Sequence, residues 1–141
     1  MLSETGEPSV LLALQRATHR TLQALTVALA DLDLTASEIN TLANLADGRS
    51  RNVRELSADT GTRATTLTGV LDRLERRGYV TRELDPADRR SFRLTLTTQG
   101  RTVARKVRAA VTELENTALA GLSDRQLAGY HAVVTALREV S

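Results

Sequence analysis

Residues 78–100 read Gly-Tyr-Val-Thr-Arg-Glu-Leu-Asp-Pro-Ala-Asp-Arg-Arg-Ser-Phe-Arg-Leu-Thr-Leu-Thr-Thr-Gln-Gly. Within this stretch, residues 79–84 and 92–96 are rich in β-branched, aromatic and alternating residues, which predicts two strands. Residues 85–88, Asp-Pro-Ala-Asp, lie between them and have the side chains that favour turns. The stretch therefore predicts a β-hairpin whose tip is polar and carries arginines.

The tip of this hairpin combines an acid with an arginine. Asp88 and Arg90 are two positions apart, so on an extended arm their side chains point the same way. A carboxylate can hold a guanidinium at a fixed angle, and an arginine at the end of a thin hairpin can enter a DNA minor groove. A solvated hairpin with ordinary surface charges explains the same residues, so the segment alone leaves both interpretations open.

Four helices are predicted before the hairpin. Thr35 and Glu38 form the pattern of a capping box at the start of the second helix, and Asn52 with Glu55 repeats it for the third. Thr62 is the predicted cap of the fourth helix. The first helix is predicted from leucines at steps of three, four or their multiples, namely Leu11, Leu14, Leu22, Leu25, Leu29 and Leu32.

The third and fourth helices are separated by Gly61, which predicts a helix-turn-helix. The fourth has an apolar stripe of Leu67, Val70, Leu71 and Leu74, and polar residues lie largely off that stripe. Small hydroxyl side chains let a helix approach base edges, and an arginine can reach guanine or phosphate. The alternative is an ordinary surface helix whose threonines are simply small side chains. Threonine is a poor helix former, so three of them on an exposed helix count against this alternative. The predicted DNA-contacting residues of this helix are Arg63, Thr65, Thr66, Thr68 and Arg73.

Two further helices are predicted after the hairpin, the fifth capped by Thr97 or Thr98 and the sixth by Ser123 with Gln126. The predicted fold is mainly α with a small β-hairpin wing. It has six helices in a single domain over residues 1–141. Residues 35–100 would form a winged helix-turn-helix lobe, and residues 9–34 with 101–140 a helical dimerisation region. Three peripheral apolar stripes favour a homodimer, with a helical cap on a monomer as the alternative.

Charge and composition limit the classes of function that the chain can have. Residues 49–101 hold twelve arginines and seven acids, a net charge of +5, whereas residues 1–48 hold two arginines and six acids. The chain has no cysteine and two histidines, and offers no nucleophile with a base, so neither a cofactor, a metal site nor an enzyme is expected. No apolar run approaches the ~20 residues of a membrane span, and the start lacks a signal peptide's basic stretch, so we expect a cytoplasmic protein without a membrane partner.

From Leu11 to Val140 the sequence resembles the MarR (multiple antibiotic resistance regulator) family of dimeric winged-helix transcription factors. Residues 88–100 and residues 71–82, Leu-Asp-Arg-Leu-Glu-Arg-Arg-Gly-Tyr-Val-Thr-Arg, carry the resemblance. It implies that the fourth helix enters the major groove and that Arg90, oriented by Asp88, enters the minor groove. It also implies phosphate contacts for Arg89 and Arg93, dimerisation through the terminal helices, and in many members a bound aromatic acid or phenol. Peroxide sensing through cysteine is excluded.

The first helix offers candidate ligand-binding residues. Arg16, His19 and Arg20 could supply cationic anchors for a small aromatic anion beside an aliphatic dimer lobe. Each of them could equally be an ordinary surface residue, and His19 a satisfied interface histidine.

The sequence therefore predicts a sequence-specific, double-stranded-DNA-binding transcriptional regulator. We expect a repressor of nearby genes that binds pseudo-palindromic operators as a homodimer and is released by a small aromatic or phenolic ligand. A winged-helix module that binds other proteins, without sequence-specific DNA binding, is the alternative.

Overall fold

The computed structural model describes residues 9–140. The helices are α1 (Val10–Ala28), α2 (Ala36–Leu45), α3 (Val53–Thr60), α4 (Ala64–Arg76), α5 (Thr98–Ala118) and α6 (Asp124–Arg138). The strands are β1 (Arg51–Asn52), β2 (Val80–Leu84) and β3 (Phe92–Leu96). The prediction of four helices, a hairpin and two more helices is confirmed.

The chain divides into two compact units, one up to Val111 and one from Thr112 onward. In the first, α1 packs on α2, α2 and α3 on α4, and α4 against β2. Its core is mostly aliphatic and includes Ile39, Leu42, Leu45, Leu56, Leu67, Leu71, Leu74 and Leu94. The predicted boundaries at residues 35 and 100 remain a prediction.

The two capping boxes predicted for the first unit are present. Glu38 N–H donates to Thr35 Oγ1 over 3.2 Å, and Thr35 N–H donates to Glu38 Oε1 over 2.9 Å. Asn52 and Glu55 exchange the same pair of bonds over 2.8 and 3.2 Å. The backbone donors at these helix starts are thus satisfied locally, which is why the sequence locates them.

The first helix is shorter than its leucine pattern predicts. It ends at Ala28, and a 3₁₀ turn follows at Ala30–Leu32. Leu29 and Leu34 are nevertheless buried, so apolar residues continue to reach the core after the backbone has left the α-helix. Periodicity therefore overestimates the helix because it reports burial and not hydrogen bonding.

The hairpin prediction is correct but incomplete. The structure has a three-stranded antiparallel sheet in the order β1-β3-β2, in which Arg51 pairs with Leu94 and Asn52 with Arg93. β1 has only two residues, too few to produce an alternating pattern. The wing is thus attached to the segment between α2 and α3.

Arg51 fixes β1 in place. Its side chain is almost fully buried and donates to Asp47 through Nη2 and to Asp59 through Nε, each over 2.6 Å. The bond to Arg51 lowers the pKa of Asp47 from 3.8 to about 2. These contacts tie the segment after α2 and the C-terminal half of α3 to the sheet.

The two ends of the wing meet where α5 begins. Thr97 N–H donates to Tyr79 O over 3.0 Å, and Thr97 Oγ1 donates to Gly78 O over 2.6 Å. Thr97 Oγ1 also accepts from Gly100 N–H over 2.9 Å, so Thr97 is the cap of α5 that the sequence left open between Thr97 and Thr98. A Cβ at Gly100 would lie 1.9 Å from Tyr79 O, a distance that no side chain tolerates. The close approach therefore requires glycine.

The second unit contains the end of α5 and all of α6. Ser123 and Gln126 form the predicted capping box at the start of α6. None of the α6 residues is buried within this single chain. The apolar stripe predicted for α6 is at most half-buried, at Leu127, Val134 and Leu137.

We predict that Gly100→Ala destabilises the protein by about 1–3 kcal/mol, because the new methyl overlaps backbone atoms that cannot rotate away. Gly129→Ala is the matched control. Its Cβ would meet open space within α6, and alanine favours a helix by up to about 1 kcal/mol over glycine. Urea unfolding of both variants measures the difference, and equal effects would contradict the close approach.

We also predict that part of the stability depends on ionised Asp47. A carboxylate whose pKa is depressed in the folded state stabilises above its unfolded value, here 3.8, and this contribution is lost as the pH falls towards about 2. Asp47→Asn should therefore lose less stability between about pH 5 and about pH 2 than the unsubstituted protein. Urea unfolding at both pH values tests this, and parallel losses in the two proteins would refute it.

Candidate nucleic-acid interface

Helix α4 separates its side chains into a buried and an exposed side. Leu67, Val70, Leu71 and Leu74 are at most 1% exposed, which confirms the predicted apolar stripe. The predicted DNA-contacting residues are all exposed and are held on this rigid helix. They are Arg63, Thr65, Thr66, Thr68 and Arg73.

The start of α4 differs from the sequence prediction. Thr62 is not the cap, since its carbonyl accepts from the Ser57 hydroxyl and the helix begins after Arg63. Arg63 is the N-cap residue, and no side chain accepts from the first-turn amides. This helix end therefore presents free N–H groups and a partial positive charge beside an exposed arginine.

The wing tip is a turn, and not the extended arm on which Asp88 and Arg90 were expected to point the same way. Asp88 Oδ1 accepts from the backbone N–H of Arg90 over 3.0 Å, and Ser91 N–H donates to Asp88 O over 3.0 Å. Among residues 9–140, the ion pairs do not include one between Asp88 and the Arg90 guanidinium. Asp88 therefore shapes the backbone of the tip, while Arg89 and Arg90 are exposed.

Arg93 pairs with Glu83, one pair before the tip end of the wing ladder, and is half-buried. Its Nε donates to Ser50 Oγ and its Nη2 to Ser50 O, each over 2.9 Å. Its Nη1 lies 3.7 Å from Glu55 Oε1 and 3.6 Å from Asp85 Oδ2. This arginine, which the sequence grouped with the tip, thus joins β3 to the start of α3 and to the buried Asp85.

Two arginines that the sequence argument did not single out connect the interface to the rest of the first unit. Arg82 in β2 pairs with Asp72 and Glu75 of α4, the latter with 3.0 Å between Nε and Oε2, so the wing is tied to the helix. Arg77, at the end of α4, donates to Leu32 O over 2.7 Å and to Asp33 O over 2.8 Å.

Arg77 links helix α4 to the connection between α1 and α2. Its guanidinium carbon lies 5.0 Å from the ring centroid of Tyr79, a cation–π contact, and Nη1 is 3.9 Å from Oε2 of the buried Glu38. The carbonyl groups of Leu32 and Asp33 lie more than 40 residues from Arg77 in sequence, so no local pattern could reveal these hydrogen bonds.

The candidate ligand residues Arg16, His19 and Arg20 lie together on one side of α1. With Leu12 and Gln15 they line an open groove of about 400 Å³. All three candidates are exposed, and the groove-lining residues belong to this helix. Cationic and apolar groups therefore do occur side by side, as the binding of an aromatic anion would require.

Neither a membrane span nor a metal cluster occurs in the part of the chain that the structure describes. No helix within residues 9–140 is long and apolar enough to cross a membrane. Over the same residues, no three or more histidine or acidic side chains are grouped so that they could hold a metal ion.

The middle of the sequence matches a known family. Residues 32–91 match the model of the MarR family. Over 75 residues, 53% of this chain, the sequence is 33% identical to the HTH-type transcriptional regulator SarZ of Staphylococcus saprophyticus subsp. saprophyticus. The alignment spans 51% of SarZ, about half its length.

Solved structures resemble the chain over most of its length. The structure of NadR in complex with 4-hydroxyphenylacetate superposes with a TM-score of 0.84, at 20% identity and with full coverage of both chains. CouR from Rhodococcus jostii, bound to p-coumaroyl-CoA, superposes with a TM-score of 0.80 at 27% identity, over 92% of this chain and 91% of that one. The likeness to NadR shows the winged-helix fold alone.

Proposed function

We propose that this winged-helix chain, whose residues 32–91 match the MarR family model, is a homodimeric, sequence-specific DNA-binding regulator that represses genes near its operators. The observation that carries the proposal is the exposed Thr- and Arg-bearing side of α4 next to a wing with two free arginines. Such a regulator acts where DNA is, so the proposal places it in the cytoplasm.

In this proposal α4 lies in the major groove. Thr65, Thr66 and Thr68 are short enough to let the helix approach the base edges, while Arg63 and Arg73 reach phosphate or guanine. The uncapped amides at the start of α4 add a favourable environment for a backbone phosphate.

The wing reaches the minor groove in the same complex. Arg90 enters the groove, and Arg89 contacts a phosphate beside it. Asp88 acts by holding the turn that presents Arg90, since its carboxylate accepts from the backbone amide there. Arg93 acts mainly by anchoring β3 of the wing to the segment before α3, because its donors already have internal partners.

A second copy covers the terminal helices. Val10, Leu11, Leu12 and Val27 of α1 are each at least half exposed, and so is Tyr130 of α6. Exposed apolar residues in this number favour a protein interface over solvent. A twofold dimer places two α4 helices about one DNA turn apart, roughly 34 Å, and so reads a pseudo-palindromic operator.

The groove on α1 is the proposed effector site. The ligands named for NadR and CouR both contain a phenol ring. We propose an aromatic anion here, with its acidic group near Arg16, His19 and Arg20 and its ring beside Leu12. Binding releases the DNA if it favours a spacing of the two α4 helices that no longer matches the grooves.

We predict that Arg90→Ala weakens operator binding by about 1–3 kcal/mol and lowers the steepness of its salt dependence by about one unit per half-site, because each protomer loses one cation that displaces counterions from the minor groove. Operators selected from random duplex DNA and titrated at several salt concentrations provide the measurement. Arg125→Ala, an exposed arginine of α6, is the control and should bind as before.

Binding that does not respond to salt, or an Arg90→Ala variant of unchanged affinity, would contradict the wing assignment. A chain that selects no DNA sequence would favour the alternative function of a protein-binding module. Dimer formation in the Arg90→Ala variant, measured by sedimentation, should equal that of the unsubstituted protein.

We predict that an aromatic carboxylate or phenolate raises the melting temperature and weakens operator binding. At 100 times its Kd, a ligand adds about 2.7 kcal/mol to the stability of the state that binds it. His19→Gln and Arg16→Gln should reduce both effects, while Thr21→Ala, which is exposed on the opposite side of the same helix, should not. The idea fails if a panel of such anions shifts neither quantity.

A further inference from the structure

The exposed large apolar side chains divide into two groups. Most lie on α1 or from residue 119 onward, where the proposed dimer would cover them. Within residues 35–100, all of which the structure describes, the exposed large apolar side chains are Leu84 and Phe92, at 60% and 44%. They lie on the wing, so the proposed dimer interface gives them no partner.

Leu84 and Phe92 form one apolar surface. They are directly opposite each other across β2 and β3, as the last pair of the ladder before the tip. Val80 pairs with Leu96 four residues earlier in β2 and faces the same side of the sheet, where it is buried. Between these two pairs on the same side, Leu94 is buried and Arg82 pairs with acids of α4, so the apolar side continues past the core along β3 and ends in the Leu84/Phe92 pair.

The charges around this pair indicate what covers it. Arg89 and Arg90 are exposed in the turn that joins the two strands, directly beyond this pair. An apolar pair bounded by guanidinium groups is complementary to a DNA minor groove, whose walls are deoxyribose rings bordered by phosphates.

We propose that Leu84 and Phe92 form a contact site for the deoxyribose rings that line the minor groove on either side of the wing. The site rests on the proposed function, because it is occupied only when the wing lies on DNA. It carries no base information and adds affinity through apolar contact, whereas Arg89 and Arg90 add it through charge.

The double variant Leu84→Thr/Phe92→Thr tests the site. The same hairpin already holds a threonine pair on its other side, with Thr81 and Thr95 hydroxyls 3.0 Å apart, so a second such pair suits these strands. We expect the Kd for the operator to rise roughly tenfold, because the double variant loses apolar contact with the DNA. The salt dependence should stay the same, because no cation is removed.

Hydroxyl-radical footprinting gives a direct readout. The radical attacks deoxyribose hydrogens in the minor groove, so the sugars beside the wing should lose protection in the double variant and keep it in the unsubstituted protein. Leu84→Met/Phe92→Leu retains apolar surface and should bind normally. Thr81→Val/Thr95→Val changes the opposite side of the hairpin and should leave both affinity and footprint unchanged.

The proposal is overturned if the threonine variant binds with unchanged affinity, if the footprint is unaltered, or if affinity falls only because the dimer dissociates. The last result would assign the pair to a second copy of the chain. Should the double variant unfold, Leu84→Thr alone supplies the same comparison. An unsubstituted protein that selects no DNA would refute the proposed function itself, which is a different outcome from failure of this site.

Discussion

The contact between Gly100 and the Tyr79 backbone is the constraint on which the wing depends. It brings the start of α5 against the turn that follows α4. The wing therefore begins, before β2, and ends, after β3, at the same place. Thr97 serves both sides there, donating to Gly78 O and capping α5. Without this approach β2 and β3 would lose their common base, and only contacts of the hairpin itself, such as the pairs of Arg82 with Asp72 and Glu75, would hold the wing against α4.

The arginines of residues 49–101 have two different roles, which the net charge of +5 for that segment does not distinguish. Arg51, Arg77, Arg82 and Arg93 are at least partly buried and bonded within the fold. They hold the sheet, the helix and the wing together, and their charge is largely matched by acids or carbonyls. The exposed arginines are thus the ones that remain available to a polyanion. Fewer cations can contact it than the composition of the segment suggests.

Much of this fold follows from local sequence. The capping boxes at Thr35, Asn52 and Ser123 and the two wing strands are where the residue patterns predict them, because each depends on neighbours within a few positions. The two-residue β1 and the change of cap from Thr62 to Arg63 escaped prediction. β1 pairs with residues of β3 that lie more than 40 positions away. At the start of α4, the Ser57 hydroxyl donates to the Thr62 carbonyl, and the helix begins one residue later than the pattern indicates.

The candidate site residues stay a prediction, and the structure bears on their exposure and their bonding within the fold. Exposure on α4 and at the tip agrees with the expected set, whereas Arg93 and Asp88 are engaged by the protein's own backbone and side chains. Patterns in a sequence indicate which side chains can meet DNA. They do not indicate which of these the fold has already bonded, because that depends on distant partners.

The anchoring of the wing below its tip has a consequence for how such a protein can diversify. The Gly100 contact lies at the base of the hairpin, and the β1 pairing and the Arg93 contacts hold β3 between its middle and the last pair before the tip. Arg89 and Arg90 take part in none of these contacts, so mutation there leaves the anchoring of the wing intact. The tip is in effect an exchangeable module, and under the proposed function new operator preferences can be sampled at small risk to the scaffold.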